Sequence, residues 1–213
     1  MIKVARQPKS KILTKKADKW RRTLLSADTK PKRIRAEAKY RHREIKNALV
    51  RMFCGKCAYC ESKITHADYG QIEHFRPKRG MRGRPDLVFE WTNLLLACGV
   101  CNGAGHKSDR FPETGEGGPL VNPCEDHPEA HFEFHCDPVA RLASVYGKTR
   151  RGITTEEVLG LNRTELREYR SRRIRHLVAL AEYADWDPEA ASLLEEAKQS
   201  SAEYAAFARA LFK

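Results

Sequence analysis

Along the chain, apolar and polar positions alternate in two ways: at helical spacing towards both ends, and in short strand-and-turn stretches between them. Leu13, Trp20 and Leu24 recur at helical intervals and predict a helix from about Thr14 to Ser26. Pro31 marks the first turn of a second helical region, since its fixed φ and missing N–H suit a helix start. Ile45, Leu49, Met52 and Phe53 share one face over Arg43 to Phe53, and Gly55 is a natural stop. The period then shortens. A strand is predicted at Glu61 to Thr65, a turn at Asp68-Tyr69-Gly70, and a second strand at Gln71 to Phe75, which together read as a hairpin. Arg76 to Asp86 is a Pro/Gly/Arg loop. Phe89 and Trp91 alternate with polar neighbours ahead of Asn93-Leu94-Leu95-Leu96, and a helix is expected to start near Asn102.

Residues 112–119 form a turn-rich linker. Alternation over 131–146 predicts another hairpin. Thr154 and Thr155 can cap a short helix, and Thr164 a longer one with Leu166, Tyr169, Ile174, Leu177 and Leu180 inward. Asp187-Pro188 opens a last helix with Leu193, Leu194, Ala197 and Leu211. The fold class expected is α+β: a small core of strands between helical flanks. Its organisation reads as a basic helical segment over 1–53, a core over 54–112, and a linker with helices over 113–213.

Charge sharpens this division. The 213 residues carry 40 Lys+Arg and 28 Asp+Glu, a net charge of +12. Residues 1–51 hold 18 basic and 4 acidic side chains, so the whole excess lies in the first quarter of the chain. A charge run is ordinarily a solvated face, but this one shares its helices with Trp, Ile and Leu. It points to an anionic partner, with nucleic acid foremost. Hydrophobic residues make up 41%, enough for a folded core, and no apolar run approaches the roughly 20 residues of a membrane span. Met1 to Ser10 lacks the apolar stretch of a signal peptide. A cytoplasmic protein without membrane contact is expected.

Seven cysteines in such a chain are poorly explained by disulfides. Cys57-Ala-Tyr-Cys60 and Cys98-Gly-Val-Cys101 explain them better: two CxxC turns offer four thiolates, which close a tetrahedral structural Zn²⁺ site. Cys54-Gly-Lys-Cys57 is a competing pair. Cys57 with Cys60 is preferred, because that pair closes the turn just before a strand. Cys124 and Cys136 read as thiols without a role.

Between the zinc pairs lies Gln71-Ile72-Glu73-His74-Phe75-Arg76-Pro77, with Asn93 further on and Asn102 directly after the last zinc cysteine. An acid-His pair on a strand, an Asn in a loop and an Asn at a helix is the order of an HNH, or ββα-metal, nuclease. Phosphodiester hydrolysis needs a base that takes a proton from water, and the imidazole of His74 suits it. Glu73 and the amide oxygen of Asn102 are hard donors for a divalent cation, Mg²⁺ with Mn²⁺ as the alternative. The Asn93 amide can bridge backbone groups and hold the His74 loop. Taken singly, each residue has a structural reading, as a strand pair or a turn residue. Their order between two CxxC pairs favours the site. Arg76, Lys78 and Arg79, with Arg82 and Arg84, form a basic loop beside His74 suited to phosphate contact. Lys107 is a further phosphate candidate or a solvated helix lysine. His127, His131 and His135, spaced by four, read as partly exposed histidines, because Pro128 breaks a continuous helix. His66 and His106 are weaker candidates.

The motifs Gly55-Lys56-Cys57-Ala58-Tyr59-Cys60-Glu61, Ile72-Glu73-His74-Phe75-Arg76-Pro77-Lys78, Trp91-Thr92-Asn93-Leu94-Leu95-Leu96 and Cys98-Gly99-Val100-Cys101-Asn102 carry a resemblance. The chain resembles the HNH endonucleases of the Septu and retron-associated anti-phage systems, the PtuB-like family. Asn122-Pro123, Asp126-His127-Pro128-Glu129 and Leu159-Gly160-Leu161-Asn162-Arg163 are similar to that family's downstream blocks, so the resemblance runs from about Arg43 to Arg173. It departs at Gly103-Ala104-Gly105-His106, longer than the family's usual spacing ahead of Lys107. The resemblance implies a nuclease of nucleic acid, DNA ahead of RNA, working with an ABC-type ATPase partner. It makes the helices from Thr155 onward candidates for docking that partner. The competing class is a zinc-stapled nucleic-acid-binding or adaptor subunit without catalysis.

Overall fold

The computed structural model describes residues 1–66 and 69–212. These form two compact units. One comprises residues 5–58 and 64–111, the other residues 1–4, 59–63 and 112–213.

The first unit begins with three helices, α1 (Lys11–Leu25), α2 (Lys30–Glu37) and α3 (Arg43–Met52). In α1 the buried face is Leu13, Trp20 and Leu24, as its spacing predicts. Trp20 stacks obliquely on Phe89, ring centroids 5.5 Å apart. The face of α3 is Ile45, Ala48, Leu49 and Met52, and the His42 side chain caps its start by accepting the Glu44 N–H. Glu44 in turn accepts the Ile12 N–H at 2.8 Å, tying α3 to α1. The stop at Gly55 has a steric cause: its φ is +68°, and a Cβ there would lie 2.6 Å from Thr65 Oγ1.

Two short strands follow, β1 (Gln71–His74) and β2 (Leu94–Ala97), paired antiparallel with Gln71 opposite Ala97 and His74 opposite Leu94. Leu94, Leu95, Leu96 and Ala97 are all fully buried, so β2 is the floor of this unit. Arg6 clips its entrance, donating to the carbonyls of Trp91, Thr92 and Leu94. Helix α4 (Gly99–Asn102) completes a ββα arrangement.

The structure corrects two expectations here. Glu61 to Thr65 is not a strand: Lys63 makes a single bridge, and the partner of β1 is β2 rather than a preceding hairpin arm. The expected turn at Asp68 lies outside the described residues. The short helix ends at Asn102 instead of starting there. Cys98 occupies its N-cap, with Sγ accepting the Cys101 N–H, and the glycines from Gly103 stop it.

The second unit holds α5 (Pro128–His131), β3 (Phe132–Cys136), β4 (Ala143–Gly147), α6 (Arg150–Leu159), α7 (Thr164–Ala181), α8 (Pro188–Lys198) and α9 (Ala205–Leu211). The hairpin expected over 131–146 is present as antiparallel β3–β4. Asp187 caps α8 as read from sequence. Helix α6 starts earlier than expected, capped by the Thr149 hydroxyl. Thr155 lies within it, buried, and accepts the Val121 N–H. The last helical stretch is two helices, α8 and α9, with Leu211 on the second. The apolar core of this unit encloses a charged side chain. Arg170, fully buried on α7, donates to the carbonyls of Ala143 and Leu161 and to Asn162 Oδ1, and lies over the Phe207 ring. Burial lowers its pKa to about 10, so it stays charged at neutral pH. Among the described residues no helix is long and apolar enough to cross a membrane.

Candidate functional site

The sulfur atoms of Cys57, Cys60, Cys98 and Cys101 lie within 4.8 Å of one another, three of the four residues buried. Four thiols at that spacing, from two CxxC turns, suit a tetrahedral Zn²⁺ with no open position. Cys54, Cys124 and Cys136 stand outside the cluster, so the choice of Cys60 over Cys54 as partner of Cys57 agrees with the geometry. The backbone ties the two turns to the sheet, since the Ala58 N–H donates to the Leu96 carbonyl at 2.8 Å.

A groove of 610 Å³ opens on the outer side of β1. Glu73, His74 and Asn102 line it together, with Gln71 and Tyr40. Its other walls carry Arg41, Lys46, Lys78 and Arg79 against Asp109, an excess of positive charge. His74 is almost wholly buried. Its Nε2–H donates to the Val88 carbonyl at 3.1 Å, and because a carbonyl only accepts, Nδ1 is the nitrogen left to take a proton. Tyr40 packs edge-on against the imidazole at 4.6 Å. Burial, together with the charges of Lys78 and Lys107, pushes the His74 pKa down to about 3. The ring is therefore neutral at physiological pH.

This has a consequence for stability. The unfolded histidine titrates near 6.5 and the folded one near 3. Between those values the unfolded chain binds the extra proton, so the contribution is complete above pH 6.5 and is lost as pH falls towards 3. Carried all the way to pH 3, the loss approaches roughly 5 kcal/mol. Across denaturant midpoints measured from about pH 8 down to pH 4, wild type is expected to lose stability relative to His74→Gln as pH falls. A difference independent of pH would contradict this placement of His74.

Asn93 stands behind the site. Its Oδ1 accepts the Arg76 N–H at 2.7 Å, its Nδ2 donates to the Arg76 and Leu87 carbonyls, and its own carbonyl accepts the Phe75 N–H. It thus fixes the chain on both sides of the residue after His74 and is not a residue of the groove wall. Asn102 donates from Nδ2 to Gln71 Oε1 at 2.7 Å, which turns its Oδ1 away from that bond. Glu73 and Asn102 together present hard oxygen donors in one groove, a set that fits Mg²⁺ or Mn²⁺.

The basic residues divide. Lys78 and Arg79 are at the groove. Lys78 lies 5.1 Å over the Tyr40 ring, and Arg79 pairs with Glu37 at 3.1 Å. Arg76 turns away and sits 4.4 Å over the Phe111 ring. Arg82 donates to the Phe111 carbonyl and Arg84 pairs with Asp86. Lys107 is neither a surface phosphate contact nor a solvated helix lysine. It is fully buried, with its ammonium 2.5 Å from Glu73 Oε1 and donating to the His74 carbonyl at 3.0 Å. A lysine is ordinarily exposed, and the neighbouring carboxylate, with the His74 carbonyl, makes this burial tolerable. His131 bonds Thr149, His127 is exposed beside Glu129, and among the described residues neither joins a second metal cluster. Tyr40 and Val88 belong to the site although the motifs do not name them, and Gln71 belongs to it although the sequence reading gives it no role. Gln71 could have been found from its place three residues before His74, whereas Tyr40 and Val88 carry no local signal.

Residues 57–108 match the family model described as HNH endonuclease. The chain is 34% identical over 204 residues to the Septu protein PtuB of Bacillus mycoides (strain KBAB4), covering 81% of this chain and 66% of that protein. It is 36% identical over 124 residues to the Septu protein PtuB of Bacillus thuringiensis, covering 57% of this chain and 42% of that protein. It is also 29% identical over 125 residues to a protein of Vibrio cholerae serotype O1 biovar El Tor named as a candidate HNH endonuclease of retron Vc95, covering 57% and 59%. The chain thus spans about two thirds or less of the length of these relatives. No solved structure matches it. The ββα arrangement, the four-cysteine cluster and these likenesses place the chain in the HNH endonuclease family, among its Septu PtuB-like members.

Proposed function

We propose that the chain is a metal-dependent HNH endonuclease that hydrolyses phosphodiester bonds of nucleic acid, acting in anti-phage defence beside an ABC-type ATPase. The observation that carries the reading is the single groove in which Glu73, His74 and Asn102 meet between cationic walls. His74 Nδ1 takes a proton from water, and the resulting hydroxide attacks phosphorus in line with the leaving 3′ oxygen. A divalent ion held by Glu73 and Asn102 would supply stabilisation of the charge that builds on the phosphoryl and leaving oxygens. A phosphodiester entering the groove brings negative charge beside the imidazole and raises its pKa from the low value it has alone, which makes it a better base. Asn93 keeps that imidazole oriented through the Arg76 backbone.

The charge for holding the polymer lies next to these residues. Helix α2 leads directly into the turn that carries Tyr40 and Arg41 to the groove, and its Lys30, Arg33 and Arg35 are exposed. Replacing these three by glutamine is expected to weaken binding, with the metal requirement unchanged. The slope of log affinity against log salt should fall by about 1 for each phosphate that a replaced side chain had neutralised. A changed metal requirement would break this division of labour. The ATPase reading rests on the family, and exposed Tyr169, Trp186 and Leu193 of the C-terminal unit suit a protein partner.

Turnover of plasmid DNA or of RNA by zinc-loaded protein, dependent on added Mg²⁺ or Mn²⁺, tests the reading. Salt-sensitive binding without turnover would instead make the chain a zinc-stapled binding module.

A further inference from the structure

Lys107 touches both halves of the machinery. Its backbone N–H donates to the carbonyl of Cys101, a residue of the four-sulfur cluster, at 3.1 Å. Its ammonium reaches β1, where it meets the Glu73 carboxylate and the His74 carbonyl. The lysine, the carboxylate and the imidazole are all buried. One residue therefore links the zinc turn, through its backbone, to the acid of the groove and the backbone of the base, through its side chain. A buried ion pair is seldom the most stable filling of such a space, since apolar residues of like volume do as well. What it adds is direction, because a carboxylate facing an ammonium held in place has one orientation. The chain turns back after α4 through Gly103 to His106, and Lys107 is buried against β1 rather than out in solvent.

We infer that Lys107 is a positioning residue that sets Glu73 for a divalent cation and couples that setting to the zinc turn. The inference rests on the nuclease reading above and concerns metal binding rather than contact with substrate. Lys107 acts through Glu73, as partners of metal ligands do when they fix a ligand's orientation.

The test is Mn²⁺ binding by zinc-loaded protein without nucleic acid, followed by electron paramagnetic resonance and calorimetry. Lys107→Met is expected to weaken Mn²⁺ binding by about 10–100-fold while zinc stoichiometry is retained. Should the methionine variant lose its zinc, Lys107→Gln, which keeps an amide donor, carries the same measurement with a loss in the same direction. Mn²⁺ affinity within twofold of wild type, or tighter, in either folded variant would overturn the inference. So would weaker nucleic-acid binding at unchanged Mn²⁺ affinity, which would make Lys107 a phosphate contact. Glu73→Gln separates this inference from the reading beneath it. If that variant still binds Mn²⁺ like wild type, the metal assignment of Glu73 fails. If it loses Mn²⁺ while Lys107→Met keeps it, only the role of Lys107 fails.

Discussion

His74→Ala is expected to cut nucleic acid about 10²–10⁴-fold more slowly than wild type, the usual contribution of a positioned general base. That corresponds to roughly 3–5 kcal/mol of transition-state stabilisation. Wild-type water activation depends on one nitrogen. Nε2 is committed to Val88, Nδ1 is left, and Tyr40 fixes the ring edge-on. Alanine removes the base, the bond to Val88 and the aromatic contact at once. The fold survives, because an unpaired Val88 carbonyl and a small void cost only about 1–3 kcal/mol. Zinc content and the circular dichroism spectrum are expected to match wild type. His74→Ala protein that cuts at the wild-type rate would show that His74 is not the base.

The second large effect concerns the metal cluster. Cys98→Ser is expected to lose most of the bound zinc and to lower the thermal midpoint by about 10–20 °C, as a loss on the order of 5 kcal/mol does in a domain of this size. Cys98 supplies one of four sulfurs, and the loss of zinc explains the size. The serine hydroxyl can still accept the Cys101 N–H that the Cys98 Sγ accepts at the start of α4, but without the cluster the turn that presents Asn102 to the groove is no longer pinned. Cys136→Ser, on β3 and outside the cluster, is the control and should melt with wild type. A Cys98→Ser protein that keeps stoichiometric zinc and its melting point would contradict the structural role of the cluster.

Much of the site is legible in the sequence because its signals are local. A CxxC turn reveals its own geometry, and Glu73-His74 and the Leu94–Ala97 run each lie on one strand. The pairing of those strands is not local. Glu61 to Thr65 alternates well enough to read as an arm for β1, yet the chain needs those residues to leave the cysteine turn, and β2 takes the place. The start of α4 is hidden for a related reason. Cysteine is not a common N-cap, and only the sulfur's position beside the Cys101 N–H makes it one. Lys107 is the least legible residue of the site. Nothing in a Gly-rich stretch indicates that a lysine will be buried, because the reason, Glu73, is 34 residues away in sequence. Tyr40 and Val88 are invisible on the same grounds, as contacts of His74 made across long loops.

In the mechanism proposed, water activated at His74 breaks a phosphodiester bond in the groove of β1, and the bond to the 3′ oxygen is the one cleaved. Its most direct test is analysis of the new ends formed by zinc-loaded protein on DNA and on RNA, with Mg²⁺ or Mn²⁺ added. The predicted products carry 5′-phosphate and 3′-hydroxyl ends and are absent with His74→Ala. Cyclic 2′,3′-phosphate ends on RNA, or the same ends formed equally by wild type and His74→Ala, would contradict it.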